Sequence, residues 1–235
     1  MIIYAAYRRW ALDALPDIKN CGRHHKAEKI VVVRSPTELN DFLNEGYNKR
    51  KVSYILFIGW SWIVDPRIIE KIPCYAFHPS NLPEYRGGSP IQNQIMSGVT
   101  DTYGTLFRMT DQIDAGGIIY REKLSLRGDM DEIFVSLQYC ALNLITWFNS
   151  WGGQQFDLYK KWPEGEPQDD EKSTWFPRRQ PEDSEILMQE MSNESDEYLY
   201  NKIRMLGSPY PNAYITCKNG KKLYLTASRR EKKNE

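Results

Sequence analysis

The stretch "CYAFHPSNLPEYRGGSP", residues 74–90, passes from an apolar run into a loop rich in Pro and Gly. Its one histidine, His78, stands at the junction. Imidazole exchanges its proton nearest neutral pH, so a histidine at a strand end is a candidate general acid or base. The chain has only three histidines. His24 and His25 lie in the polar segment "KNCGRHHKAEK", which is expected to be exposed, and this leaves His78 as the acid–base candidate. A carboxylate to orient its ring can come from "TDQIDAGG", through Asp111 or Asp114. Each residue also has a plainer reading. His78 can satisfy loop backbone groups, Asp114 can be a turn residue ahead of Gly116-Gly117, and Arg86-Gly87-Gly88 can be a flexible turn. The four cysteines, Cys21, Cys74, Cys140 and Cys217, are far apart, with no CxxC and no paired Cys/His spacing, so no metal site is expected.

The elements that must position these residues alternate in the N-terminal half. "MIIYAA", "KIVVVR", "SYILFIG" and "CYAFH" read as strands, and the uninterrupted β-branched runs suit strands buried on both faces. Between them lie helical patterns. "RRWALDALPDIK" is bent or ended at Pro16, "SPTELNDFL" starts with Ser35 as N-cap and Pro36 in the first turn, and "DPRIIEKI" is short. This alternation predicts an α/β fold with an open, mainly parallel twisted sheet. After His78 come a loop and a helix, "SPIQNQIMSG". "DTYGTLFRM" and "GGIIYREKLSL" then read as extended segments added antiparallel to the sheet. "MDEIFVSLQYCALNLITWF" is a long helix. Residues 151–185 are expected to be irregular, with the tryptophans between Trp147 and Phe176 serving packing rather than base stacking. "DEYLYNKIRML" is helical, "NAYITCKNGKKLYLT" is a hairpin turning at Asn219-Gly220, and "SRREKKNE" is expected to be disordered. The division expected is a catalytic domain over 1–180 and a small helix–hairpin subdomain over 181–235. In such sheets ligands bind outside the carboxyl ends of the strands. His78 lies at one such end and "GWSWIV" follows the strand before it, so both should border one crevice.

Over 235 residues, 41% are hydrophobic, enough for a sizeable core. Lys plus Arg equals Asp plus Glu, 31 each. No basic excess marks a nucleic-acid binder, although a local basic site for a small anion fits the same balance. No secretory signal opens the chain and no run has the roughly 18 apolar residues of a membrane helix. The expectation is a cytoplasmic protein with reduced thiols and no membrane or nucleic-acid partner.

Taken together, "FHPSNLPEYRGGSPIQNQIMSG" and "TYGTLFRMTDQIDAGGII" resemble the N10-formyltetrahydrofolate-dependent formyltransferases. The resemblance is close over about residues 50–125 and extends weakly to the tail. It implies a Rossmann-like catalytic domain and N10-formyltetrahydrofolate as cosubstrate. The family's catalytic set is Asn, His and Asp, with Asn two residues before His. His78 and Asp114 match, and the Asn position falls on Ala76. By resemblance the pterin lies along Trp60, Ser61, Trp62, Ile63 and Val64 and along the loop from Thr110 and Asp111 to Asp114, with Arg86, Gly87 and Gly88 shaping the nearby wall.

The chemistry shows what Ala76 withholds. A neutral amine attacks the formyl carbon and must then shed a proton, which suits His78 with Asp114 beside it. The tetrahedral intermediate carries an oxyanion that needs a donor placed in advance. The family's Asn amide is that donor, and alanine has none. Either the chain is an inactive variant, or a natural enzyme draws its donor from elsewhere, such as protonated His78, Asn81 or Asn93.

Among family members the sugar N-formyltransferases resemble this chain best, in "AAYRRWAL", "GWSWIV" and "TWFPRRQPEDSEI". That resemblance implies an amino-dideoxyhexose on dTDP or UDP as acceptor, a product destined for surface polysaccharides such as the lipopolysaccharide O-antigen, and a homodimer using Tyr214, Ile215, Leu223 and Tyr224. Methionyl-tRNA formyltransferases carry a further RNA-binding domain and a basic surface that this sequence does not show. Arg8, Arg9 and Trp10 after the first strand, with Arg204 and Tyr210, are the acceptor-contact candidates. The alternatives are a non-catalytic folate- or nucleotide-binding homologue and a formyltransferase for another amine.

Overall fold

A computed structural model describes residues 1–20, 29–44, 52–159 and 161–231. In chain order the elements are β1 (Ile2–Ala5), α1 (Arg9–Asp13), α2 (Leu15–Asn20), β2 (Ile30–Val33), α3 (Pro36–Asn44), β3 (Tyr54–Phe57), α4 (Pro66–Lys71), β4 (Cys74–His78), β5 (Arg86–Gly87), α5 (Pro90–Met96), β6 (Asp101–Arg108), β7 (Ile118–Ser125), α6 (Met130–Tyr159), β8 (Trp175–Phe176), α7 (Met188–Asn193), α8 (Asp196–Arg204), β9 (Ala213–Thr216) and β10 (Lys222–Leu225). Six strands form one sheet in the order β2-β1-β3-β4-β6-β7. The first four are parallel, and β6 and β7 are added antiparallel. This is the α/β architecture that the alternation predicted. His24 and His25 fall outside the described residues.

The alternation of side chains along each strand divides the core in two. Tyr4, Tyr54, Leu56, Tyr75 and Phe77 pack on one face with α1, α5 and α6. Ile3, Ala5, Ile55, Phe57 and Cys74 pack on the other with α3, joined there by the partly buried Ala76. On the first face α6 presents Ile133, Leu137, Cys140, Ala141, Leu144 and Phe148, all buried at helical spacing. Each large side chain among them contributes roughly 1.5–3 kcal/mol by leaving water.

The local signals act as their chemistry dictates. The helix after β1 breaks into α1 and α2 just ahead of Pro16. Ser35 Oγ accepts from the Glu38 amide at 3.1 Å, and Asp65 Oδ1 accepts from the Arg67 amide at 2.9 Å, so both helices are capped. The tail hairpin turns at Gly220, whose φ is +74° and whose amide donates to the Cys217 carbonyl. The tail shares the first core, because Ile186, Met205, Leu206 and Ala213 are buried in it.

Two expectations are corrected. Residues 151–159 continue α6 rather than forming irregular chain, and β8 pairs in parallel with β5 within the rest of the irregular stretch. Tyr214 is buried with its ring under the Lys222 ammonium, so it is not available for pairing between copies, whereas Leu223 and Tyr224 are exposed. Among the described residues, no helix is long and apolar enough to cross a membrane.

Candidate active site

Loops at the carboxyl ends of β1, β3 and β4 enclose a cavity of about 640 Å³ together with the β6–β7 loop, α5 and the segment after α8. His78, Asp114 and Ala76 all line it. The two faces of the sheet meet there. Trp10, Phe77, Ile91, Leu206 and Tyr210 reach it from the α1/α5/α8 side, and Phe57, Trp60, Val64 and Met109 from the α3/α4 side.

His78 ends β4 and is 6% exposed. Its Nε2 lies 2.8 Å from the Tyr85 carbonyl. A carbonyl only accepts, so Nε2 carries the proton, and Nδ1 holds the lone pair of the neutral ring. Nδ1 faces Asp114 Oδ2 at 3.5 Å. That oxygen also accepts from the Gly87 amide at 2.9 Å. A proton taken up at Nδ1 would therefore meet a carboxylate already fixed in place.

The loops holding these groups are tied down strand by strand. Thr105 Oγ1 donates to the Ser80 carbonyl at 2.7 Å, Ser80 Oγ to the Glu84 carbonyl at 2.6 Å, and Arg121 to the Leu82 carbonyl at 2.7 Å. This fixes the loop that delivers the Tyr85 carbonyl. Gln168 Nε2 donates to the carbonyls of Asp114 and Gly116 at 2.8 and 2.7 Å, and its Oε1 accepts from Arg86. Gly116 has no room for a side chain, since a Cβ there would lie 1.7 Å from the Arg108 carbonyl oxygen. Tyr85, Ser89 and Asp114 all have left-handed φ, at 58°, 50° and 53°.

Of the expected cosubstrate-side residues, Trp60, Ser61, Trp62, Ile63, Gly87, Gly88, Thr110 and Asp111 line the cavity. Arg86 does not. Its guanidinium is held by Gln168 and by Asp170 at 2.8 Å, so it is a strut joining β5 to the later segment. On the acceptor side Arg8, Trp10 and Tyr210 line the cavity. The Arg8 guanidinium lies 4.8 Å from the ring centre of Tyr7 and 5.3 Å from that of Tyr210. Among the described residues it meets no carboxylate.

Two acceptor-side arginine expectations fail as well. Arg9 is turned to solvent and pairs with Asp13 at 3.6 Å. Arg204 is 9% exposed and donates to the carbonyls of Leu126 and Gly128, joining α8 to the start of α6. The fallback amides are also spoken for or distant. Asn93 Nδ2 donates to the Gly88 carbonyl at 2.9 Å, and neither it nor Asn81 lines the cavity.

Sequence reasoning missed Tyr85, Gln168, Gln92, Arg178 and Arg179. Tyr85 acts through its backbone and Gln168 sits in an unpatterned stretch, so neither carries a side-chain signal. Gln92 is the first of three consecutive amides in "SPIQNQIMSG", and only the fold shows that it is buried. Cys74 shares a face with Ala76 and His78, and burial pushes its thiol up to about 12, so it stays protonated and is no nucleophile at neutral pH.

A family model described as Formyl transferase matches residues 16–133, half of the chain. This chain belongs to that family. A methionyl-tRNA formyltransferase from Moorella thermoacetica is 29% identical over 211 residues, 84% of this chain and 61% of that relative. The chain thus spans about three fifths of that relative's length. The solved methionyl-tRNA formyltransferase from Clostridium thermocellum is 29% identical with a TM-score of 0.72, covering 95% of this chain and 96% of that one. A 4-N formyltransferase from Francisella tularensis shares the fold at 18% identity, with a TM-score of 0.73 and 98% of both chains covered.

Proposed function

We propose that this formyl transferase family member moves a formyl group from N10-formyltetrahydrofolate to the primary amine of a nucleotide-linked amino-dideoxysugar, in a pathway to surface polysaccharide. The observation that carries the transfer is the imidazole with its proton fixed on Nε2, its lone pair toward Asp114, in a half-enclosed cavity.

The amine nitrogen attacks the formyl carbon. The new C–N bond forms as the carbonyl π pair moves to oxygen. The ammonium proton passes to His78 Nδ1, where Asp114 Oδ2 stabilises the imidazolium. Collapse of the intermediate restores the carbonyl and breaks the bond to N10, which takes the proton back from the His78 imidazolium and leaves as tetrahydrofolate.

The folate would lie against Trp60–Val64 and Thr110–Asp114. Those residues fit a heteroaromatic ring with acceptor edges: Trp60 Nε1 is buried with no partner among the described residues, and Trp62 is partly exposed. The acceptor would lie toward Arg8, Trp10 and Tyr210. Arg8, Arg178 and Arg179 all line the cavity, and a diphosphate suits them. Under this reading the tail from residue 181 serves as an acceptor-side subdomain, and the protein works in the cytoplasm as a homodimer that uses Leu223 and Tyr224.

A second reading, methionyl-tRNA as acceptor, is favoured by the 29% identity to enzymes of that name. The test offers N10-formyltetrahydrofolate with dTDP- and UDP-linked 4-amino-4,6-dideoxyhexoses and with charged initiator tRNA, and reads products by mass spectrometry. A formylated nucleotide sugar is expected. Formylated methionyl-tRNA alone selects the second reading, and no product from the protein or from its Ala76→Asn variant rejects both.

A further inference from the structure

Helix α5 carries three consecutive amides, Gln92, Asn93 and Gln94, all buried. Two are committed to structure. Asn93 Nδ2 donates to the Gly88 carbonyl, and Gln94 Nε2 donates to the carbonyls of Pro79 and Pro90 at 2.7 and 2.9 Å. Gln92 is different. It is 4% exposed, it lines the cavity, and its Nε2 has no partner among the described residues.

A buried amide donor left unpaired is costly, and few native ones lack a partner or a purpose. A methylene side chain would fill the same space without that cost. Gln92 borders the cavity while its Nε2 is wholly buried, so a ligand oxygen arriving there can take this donor once the carboxamide turns toward it. Which ligand follows from the fold. Gln92 stands on the α1/α5/α8 side of the sheet, where α5 packs on α8 and Leu206 and Tyr210 follow α8 into the cavity. On the wall assigned to folate, Trp60, Val64 and Met109 belong to the opposite face.

We infer that Gln92 is an acceptor-positioning residue, whose Nε2–H donates to a hydroxyl, carbonyl or phosphate oxygen of the amine-bearing substrate. This rests on the two-substrate reading above and holds for either acceptor named there.

The test compares the full chain with Gln92→Leu, which removes the donor while keeping bulk, and Gln92→Glu, which replaces it with an acceptor. Titration calorimetry uses 5-formyltetrahydrofolate as the stable folate probe. The acceptor probe is whichever of a dTDP-linked 4-amino-4,6-dideoxyhexose and methionyl-tRNA the unaltered chain binds. Gln92→Leu should melt at the same or a higher temperature, because it relieves an unpaired donor. Its folate affinity should stay within about threefold, and its acceptor affinity should fall about 10- to 100-fold, as for a lost hydrogen bond with its desolvation penalty. Gln92→Glu should lose at least as much. Where turnover is measurable, the loss should appear in the acceptor KM more than in kcat. Unchanged acceptor affinity in a folded Gln92→Leu overturns this assignment alone. Equal loss of folate affinity overturns it in favour of a folate contact. If the unaltered chain binds folate but neither acceptor, the acceptor reading and this inference fall together.

Discussion

Restoring an amide at position 76 is the sharpest perturbation of the proposed chemistry. Ala76 and His78 are two apart on β4, so they share a face at roughly 6.6 Å along the strand. Ala76 is half-buried and its free side is cavity rather than core. The atoms added by Ala76→Asn therefore enter an existing space, and the fold should tolerate them. The new amide would sit beside the point where the formyl oxygen gains charge. One such donor is worth about 100- to 1000-fold in turnover, or about 2.7–4 kcal/mol of transition-state stabilisation. Acceptor affinity should change far less, because the oxyanion exists only after attack. The gain should also need His78, since an oxyanion held in place is useless while the amine keeps its proton. The assay is the steady-state rate at saturating N10-formyltetrahydrofolate for the parent, Ala76→Asn, His78→Gln and the double variant. Ala76→Asn should gain two to three orders of magnitude, and the same change on His78→Gln should gain much less. A rate for Ala76→Asn within a factor of two of the parent would refute the argument that the missing amide limits turnover.

Two further outcomes follow from the packing. Gly116→Ala should destabilise the chain and abolish transfer, because its Cβ would meet the Arg108 carbonyl at 1.7 Å and push the Asp114 loop off its Gln168 anchors; differential scanning fluorimetry beside the transfer assay checks it, and a variant with parent Tm and rate would count against a rigid Asp114 loop. Burial pushes the Glu190 carboxyl up, but hydrogen bonds from Lys202, the Leu187 amide and Tyr198 outweigh this and hold it below the usual glutamate range. That stability is present above the ordinary value of about 4.3 and is lost as pH falls through the lower folded value. Glu190→Gln should accordingly cost about 3 kcal/mol near pH 7, or roughly 6–12 °C in Tm, with the gap to the parent closing below about pH 4 in a urea-melt series.

How far the sequence carried the reading depended on what kind of atom does each job. The sheet was legible because uninterrupted apolar runs such as "KIVVVR" and "CYAFH" announce strands buried on both faces, and the site edge was legible because His78 ends one of them. Side chains of distinctive type could be placed at the cavity, which His78, Asp114, Trp60 and Arg8 all line. Jobs done by backbone could not: the Tyr85 carbonyl that sets the His78 tautomer could belong to any residue. The arginines failed for a related reason. Spacing tells that a guanidinium is near the site, not which way it turns, and Arg9 faces water while Arg204 and Arg86 turn inward to carbonyls, a carboxamide and a carboxylate. The stretch holding Gln168 and β8 was opaque because both act through long-range contacts that no local pattern encodes.

The strained backbone around the site bears on what Ala76 means. Tyr85, Ser89 and Asp114 each sit at left-handed φ, a conformation costing roughly 1–2 kcal/mol for most residues and less for Asp. Their positions are those that aim the Tyr85 carbonyl at His78, lead into α5, and point Asp114 at Nδ1. Such strain persists only where surrounding structure over-determines it. Here the restraints are visible: the Tyr85 amide donates to Thr174 Oγ1 at 2.7 Å, Ser89 Oγ accepts from the Arg179 amide at 3.1 Å, and Gln168 holds the Asp114 carbonyl. A site drifting out of use would be free to relax these residues one at a time, because each relaxation would stabilise the fold. This chain keeps all three, along with donors on Trp60 and Gln92 that have no partner among the described residues. The costs of positioning are still being met, and under the proposed chemistry that is the arrangement in which a single donor introduced at position 76 should have its full effect.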